Sequence, residues 1–431
     1  MIKKMYKFLL ENVVLRAGDF VTKSAFLSTL NLYRNYCKHS DVELQNVQEK
    51  KIERLISILK THPYYGKYNA KKISDFPILS KSTLNDNINS IAPLNKEKLV
   101  RISTSGSTGI KSTVYFTNKE VSVPRAIQTF WWEWSGYKLG NSILQFGVNT
   151  NRSFLKKIKD IVFRTKYISA LNHSDEALLR ELKRLQKKPR DHMFGFASSL
   201  YLLALNAEAN NIKDVTFKSA SSFGEKFSMQ EKTKVNTVFK TRSFDTYGCA
   251  EGLLVAGTCE QGNYHIMTPH VYVELLDANN NEVAPGEVGR VVLTGLDNRS
   301  TPLVRYEVGD YAEKIDPNST CQCGRPFPLL GPIHGRKSEV IKTKSGTLIT
   351  VQTLTGIMKR ISGVKQFQFH CDDEYNYQLH VVKSDRYDSN TESSIHASFF
   401  QSLNENIKLT INVVDEINVE KTGKFKFIVK K

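Results

Sequence analysis

The stretch Ser103-Thr104-Ser105-Gly106-Ser107-Thr108-Gly109-Ile110-Lys111 constrains this chain more than any other. Five hydroxyl side chains and two glycines fill positions 103–109, and a lysine closes the run. Glycine lets the backbone turn back and approach a ligand, and the amide N–H groups it frees converge readily on phosphate oxygens. Apolar Leu99 and Val100 precede the stretch, and the alternating Thr113-Val114-Tyr115-Phe116-Thr117 follows it. These flanks predict a phosphate-binding loop between two strands. A Walker loop would place Gly-Lys-Ser/Thr at the start of a helix. Here Ile110 stands before Lys111 and no helical pattern follows, so that motif is excluded. A flexible Ser/Gly linker has the same composition, and the strand-like flanks argue against it.

Composition narrows the setting. The chain has 431 residues, 40% of them hydrophobic and 24% charged, which suits a soluble globular protein with a large core. A formal net charge of +18 predicts anionic partners such as nucleotides, nucleic acid or a membrane surface. The basic residues are scattered, as in Lys50-Lys51, Lys156-Lys157 and Lys187-Lys188, so none forms a nucleic-acid arm and no nucleic-acid partner is expected. The basic start Met1–Glu11 is broken by Lys7 and lacks a small-residue cleavage site, so it does not read as a signal peptide. No apolar run approaches the roughly 18 residues of a membrane span. Six cysteines are too few for a disulfide scaffold at this length, and a cytoplasmic, reduced setting is expected.

In chain order, residues 1 to about 75 read as helical. Ile52, Leu55, Ile56 and Leu59 recur at helical spacing and predict one buried face; a basic amphipathic helix lying on a membrane is the alternative. From 120 to 335 helical and strand-like patterns alternate. Ser174 with Asp175 and Glu176 opens a helix that stops before Pro189. Phe194–Ser199 and Phe217–Glu225 read as strand ends running into polar turns. Val271–Leu276 and Arg290–Thr294 are further strands around the turn Pro285-Gly286. Such a sheet binds ligands beyond its strand C-termini. From about Lys337 a small α+β unit follows: strands at Gln366–His370, Tyr377–Val382 and Leu409–Val414, with a helix marked by Ile395, Phe399 and Leu403.

Three more stretches carry chemistry. Asp245-Thr246-Tyr247-Gly248-Cys249-Ala250-Glu251-Gly252 places a ring, a glycine and a carboxylate in one turn, suited to a base and to Mg²⁺ on phosphate oxygens. Asp310, after the turn at Gly309, suits ribose hydroxyls. His334-Gly335-Arg336-Lys337 sets a guanidinium before the small unit. Each alone is also a common surface turn or ion pair.

Together, in this order, the stretches resemble the acyl-adenylate-forming superfamily of AMP-binding enzymes. The nearer likeness is to its phenylacetate–CoA ligase-like branch, including capsular-polysaccharide-biosynthesis relatives. His62-Pro63-Tyr64-Tyr65, Phe76–Lys81, Phe223-Gly224-Glu225 and Gly423-Lys424 extend the likeness over most of the chain. The resemblance implies an adenylate-forming ligase fold: a large N-terminal multi-sheet α/β domain over 1–335 and a small mobile C-terminal α+β domain over 336–431. It implies that Ser105, Gly106, Ser107, Thr108, Gly109 and Lys111 hold the ATP phosphates. Gly224, Glu225, Tyr247 and Gly248 would frame adenine, Asp310 the ribose, and Arg336 ribose or phosphate. Glu251 would hold Mg²⁺, and Lys424 would bridge the attacking carboxylate and the α-phosphate. The product would be an acyl-AMP plus pyrophosphate, with the acyl group passing to CoA or another thiol. At the usual hinge position this chain has Ser338, and the loop Lys342–Ile349 is close only to the polysaccharide-associated relatives. Both leave the acceptor open: CoA, a carrier-protein thiol, or the amino group of a sugar. A non-enzymatic basic membrane- or nucleic-acid-associated protein is the reading from another class, and a peripheral membrane contact is possible for so basic a surface.

Cys259, His265, Cys321 and Cys323 form Cys-x5-His followed by Cys-x-Cys, the ligand set of a tetrahedral structural zinc. Branch relatives carry zinc at matching positions; the alternative is four residues that do not converge. Cys249 reads as space-filling or as a reactive thiol. Phe130-Trp131-Trp132-Glu133-Trp134 and Tyr137 read as core, or as part of an acyl pocket with Phe196-Ala197-Ser198.

Overall fold

The computed structural model describes residues 2–103, 112–147, 152–170, 174–336, 341–344, 348–349, 354, 357–358, 361–372, 375–403, 407–417 and 426–430. Elements are numbered in chain order. The helical start comprises α1 (Ile2–Leu9), a π-helical turn (Leu10–Val14), α2 (Leu15–Thr22), α3 (Phe26–Tyr36) and α4 (Asp41–Leu59). Ser40 opens α4: its hydroxyl accepts the Glu43 N–H at 3.2 Å, and the Glu43 carboxylate accepts the Ser40 N–H at 2.7 Å. Leu55, Ile56 and Leu59 are buried. Gln48 and Lys51 donate to the carbonyls of Thr268, Val271 and Pro269. This helix therefore covers the body of the protein, and the membrane alternative for it is overturned.

After α5 (Lys81–Asp86) and α6 (Ile88–Ile91), strands β1 (Val100–Ser103) and β2 (Thr113–Phe116) pair antiparallel. Then α7 (Asn118–Trp134), β3 (Ile143–Gly147), α8 (Phe154–Val162), β4 (Thr165–Ser169), α9 (Asp175–Lys187), β5 (His192–Gly195), α10 (Ala197–Ala209), β6 (Ser219–Ser222), α11 (Met229–Phe239) and β7 (Ser243–Gly248) alternate. Helical crossovers make β4, β3, β5, β6 and β7 parallel neighbours. The strands β8 (Leu254–Thr258), β9 (Tyr264–Ile266) and β13 (Leu329–Leu330) extend this sheet antiparallel to eight strands. A second, antiparallel sheet is built from β10 (Val271–Leu276), β11 (Val288–Gly295), β12 (Tyr306–Glu313) and β14 (Ile333–Arg336).

Inside the parallel sheet β5 and β6 are buried throughout, a setting in which strands usually read as apolar runs, yet β6 does not. Strand β6 reads Ser-Ala-Ser-Ser, and all four residues are buried. Its Ser219 hydroxyl bonds to His192 Nδ1 at 2.7 Å and to the Ser135 hydroxyl at 3.0 Å, which satisfies these groups away from water. The tryptophans of α7 belong to the core. Trp131 and Trp134 are buried, and Trp132 stacks on Phe194 with ring centroids 4.3 Å apart.

The C-terminal unit holds β15 (Ile341–Lys342), β16 (Leu348–Ile349), β17 (Val364–Cys371), β18 (Tyr377–Lys383), a helix (Ser389–Leu403), β19 (Leu409–Val413) and β20 (Ile428–Lys430). Four strands form a sheet in the order β19-β18-β17-β20. Its core, from Ile341 to Ile428, takes in no residue of the preceding clusters, and Phe369 lies stacked with both Tyr377 and Phe399. A large α/β portion and a smaller α+β unit are thus the architecture expected.

Candidate adenylate-forming site

Glu251 lies in the turn after β7 and is buried. The Ser112 hydroxyl donates to its Oε1 at 2.7 Å, and the Tyr306 hydroxyl donates to the same oxygen at 2.8 Å. Burial alone would push this carboxyl upward, but the two donated hydroxyls outweigh it and hold Glu251 below the usual carboxylate range. The group is an anion at neutral pH. Ser112 directly follows the hydroxyl-rich stretch, and Ser103 pairs with Thr113 at its base, their hydroxyls 3.0 Å apart. Both roots of that stretch are therefore fixed, one of them against Glu251. Positions 104–111, with Ser105, Gly106, Ser107, Thr108, Gly109 and Lys111, lie outside the described residues.

Tyr247 ends β7, and its hydroxyl donates to Asp310 Oδ2 at 2.9 Å, linking the parallel sheet to β12 of the second sheet. Gly248 admits no side chain: a Cβ there would lie 2.7 Å from the Leu253 carbonyl oxygen. On the next strand, Gly224 takes φ +74°, a conformation that favours glycine and turns the chain sharply beyond β6. Glu225 then accepts from the Ser198 N–H at 3.0 Å and its hydroxyl at 2.8 Å, at the first turn of α10. Asp310 pairs in register with Arg336 across β12 and β14. Only the backbone of Arg336 is described, and Lys424 and Ser338 lie outside the described residues.

The structure thus brings Glu251, Tyr247, Gly248 and Asp310 to one edge where the two sheets meet, with Gly224 and Glu225 beyond the neighbouring strand. Several contributors were not visible in the sequence. Ser112 and Tyr306 set the state of Glu251 from positions 139 and 55 residues away. His270 holds the same turn: its Nε2 contacts the Gly252 carbonyl at 3.2 Å and its Nδ1 the Asp297 carboxylate at 2.8 Å. Lys51 Nζ reaches Asp297 at 2.6 Å. Cys249 is no reactive thiol, because burial first and then the Glu251 charge push it well above the ordinary thiol range.

Cys259, His265, Cys321 and Cys323 converge, their ligand atoms all within 4.8 Å of one another. Cys259 and Cys321 sulfurs are 3.7 Å apart, and Cys323 Sγ is 3.3 Å from His265 Nε2. Zinc–ligand lengths of about 2.3 Å to sulfur and 2.0–2.1 Å to nitrogen give tetrahedral edges of about 3.8 and 3.6 Å, so the cluster has nearly the size required. His265 Nδ1 lies 2.8 Å from the Phe327 carbonyl, which can only accept, so Nδ1 carries the proton and Nε2 offers its lone pair to the sulfurs. Burial also favours the neutral imidazole. The donor set fits a structural zinc. One residue before His265, the Tyr264 hydroxyl donates to Asp245 at 2.6 Å, so the cluster is braced against β7.

The chain is similar to several known proteins. Residues 341–431 match the family described as the CapK C-terminal domain. Protein CapK of Staphylococcus aureus is 23% identical over 361 residues, which cover 81% of this chain and 78% of that protein. Phenylacetate–coenzyme A ligase of Thermus thermophilus is 32% identical over 115 residues, 26% of this chain and 25% of that one. Among solved structures, 2-hydroxyisobutyryl-CoA ligase in the postadenylation state superposes with a TM-score of 0.75 at 16% identity, over 90% of this chain and 89% of that chain, a likeness of fold alone. The chain therefore has the fold of acyl-adenylate-forming ligases, and in sequence it is similar to CapK and to phenylacetate–CoA ligases.

Proposed function

We propose that this protein activates a carboxylic acid with Mg-ATP to an acyl-AMP, releasing pyrophosphate, and then passes the acyl group to CoA or another thiol. The observation that carries this reading is the 2.7 Å bond from Ser112 to Glu251, which ties the root of the phosphate loop to the carboxylate of the Tyr-Gly-x-x-Glu turn. In the first step a carboxylate oxygen bonds to the α-phosphorus and the α–β phosphoanhydride bond breaks. A carboxylate is already ionised at neutral pH, so no general base is needed. The obstacle is bringing one anion to another, and it is met by positioning and by cationic groups, Lys111 and Lys424 among them. Residues 105–109 cradle the phosphates, Tyr247 and Gly224-Glu225 flank adenine, and Asp310, oriented by Tyr247, takes the ribose with Arg336. Glu251, held ionised, is the ligand for Mg²⁺, which when bound offsets phosphate charge. In the second step the acceptor sulfur bonds to the acyl carbon and AMP leaves with the C–O bonding pair, while the thiol proton goes to solvent. The four-ligand Cys/His cluster holds a structural zinc that fixes the β8–β9 turn to the segment before β13.

A pyrophosphate-release screen over aryl, fatty, amino and hydroxy acids tests the first step. Acid-dependent release supports it, and none with any acid counts against it. A second reading, transfer to the amino group of a sugar in surface-polysaccharide synthesis, rests on the likeness of the loop at 342–349 to polysaccharide-associated relatives. Turnover with acid and ATP that rises with CoA favours the thiol. Turnover with an amine and not with CoA favours the amide.

A further inference from the structure

Helix α8 wears its amphipathicity inside out. Phe154, Ile158 and Ile161 recur at i, i+4 and i+7 and so share one face, yet that face is turned to solvent: Phe154 and Ile161 are each 76% exposed. The segment α1–α2 does the same, with Phe8, Val13 and Phe20 exposed, Phe20 at 87%. The two segments adjoin. The Tyr6 hydroxyl of α1 donates to the Val162 carbonyl at the end of α8 at 2.6 Å, and just beyond the two segments Phe26, at the start of α3, meets Phe163 edge-on with centroids 6.4 Å apart. Exposed large apolar side chains gathered on neighbouring helices mark an interaction surface.

The charges around them are one-sided. Lys156 and Lys157 on α8, Arg16 on α2 and Lys23 just after it are exposed. The acidic side chains on these elements are engaged internally. Asp160 accepts from Arg152 Nε at 3.0 Å, and Glu11 pairs with Arg34 at 2.9 Å. Asp19 accepts the backbone N–H groups of Phe26 and Leu27 at 3.1 and 2.8 Å. What faces outward is therefore apolar rings and branched chains set among cations. No helix among the described residues is long and apolar enough to cross a membrane.

We propose that α8 and the α1–α2 segment form a docking surface for an anionic lipid bilayer, lying in its interface. Apolar side chains enter the boundary between headgroups and acyl chains, and the lysines meet lipid phosphates. A second copy of the chain is a poorer occupant, because a face-to-face pair sets Lys156 and Lys157 against the same charges. The surface stands on its own observations and does not depend on the reaction proposed above.

Vesicle flotation of the full chain tests it, using phosphatidylcholine with roughly 30% phosphatidylglycerol against phosphatidylcholine alone. Partition is expected to be at least about tenfold stronger on the anionic vesicles and to weaken as salt is raised. Phe154→Ser with Ile161→Ser should lower it about tenfold, while Lys156→Ser with Lys157→Ser removes the preference for anionic lipid. Unchanged melting temperatures would show that both variants fold. Absence of partition, partition equal in wild type and variants, or a concentration-dependent dimer in sedimentation that the apolar variant abolishes, each overturns the proposal.

Discussion

The body of the protein and its C-terminal unit are stabilised in different ways. In the body, one core cluster draws in residues from Leu55 to Ile333, and the polar groups of the site are set by hydrogen bonds between distant parts of the chain, such as Tyr247 to Asp310. The C-terminal unit closes its own core between Ile341 and Ile428. A site wired by long-range bonds is preorganised before substrate arrives, whereas a unit with a private core can change its position without disturbing that wiring. In the reaction proposed, the body sets the nucleotide, and the small unit supplies Lys424 for the first half only.

That division is easiest to break at Lys424. Lys424→Ala should slow acyl-AMP formation about a hundredfold or more, because a cation facing developing phosphate charge is lost. The same variant should react preformed acyl-AMP with thiol at the wild-type rate; equal loss in both halves would end the division of labour. Within the body, Glu251→Gln should reduce Mg-dependent turnover roughly tenfold. Titration of turnover against Mg²⁺ decides it, and an unshifted curve would remove Glu251 from the metal. Cys323→Ser should lose about one equivalent of zinc by metal analysis and lower the melting temperature of the body by roughly 5 °C. A metal-free protein that melts and works normally would eliminate that cluster.

The smallest effect sharpens the comparison most. Hydroxyls donated to Oε1 hold Glu251 low, so its contribution to stability is present above the unfolded carboxyl value of about 4.3 and is lost as pH falls through the lower folded value. Tyr306→Phe removes one donor and raises the folded value. The acidic limb of the pH–activity profile should then move up by about half a unit. An unmoved limb would mean that Ser112, the backbone N–H and Lys81 hold the charge without Tyr306.

Local chemistry made part of this legible beforehand. Apolar Leu99 and Val100 before residues 104–111 and the alternation after them announced flanking strands, and β1 and β2 stand there, paired with each other. The spacing of Leu55, Ile56 and Leu59 announced a buried helical face, because the period of a helix is a property of neighbours. The Cys/His ligand set named its four members, although spacing could not show that they meet. What stayed hidden were partners remote in sequence. Nothing near Tyr306 marks it as the donor to Glu251, and nothing near Lys51 points to Asp297, 246 residues on. Strand β6 was legible as a strand end within Phe217–Glu225, but its full burial was not: a run of serines carries no apolar signal, and that burial is made tolerable by His192 and Ser135 from other elements.

The carboxylate of Glu225 clasps the opening turn of α10 through both the amide and the hydroxyl of Ser198. If, as the sequence suggests, Phe196 and Ala197 beside Ser198 help to shape the cavity for the acid while Glu225 flanks adenine, then choice of acid and grip on adenine share one mechanical joint. Enlarging that cavity to admit a bulkier acid would loosen the joint as well. Attempts to redirect selectivity there should be read out as paired changes, with the Michaelis constant for ATP drifting whenever preference among acids is altered.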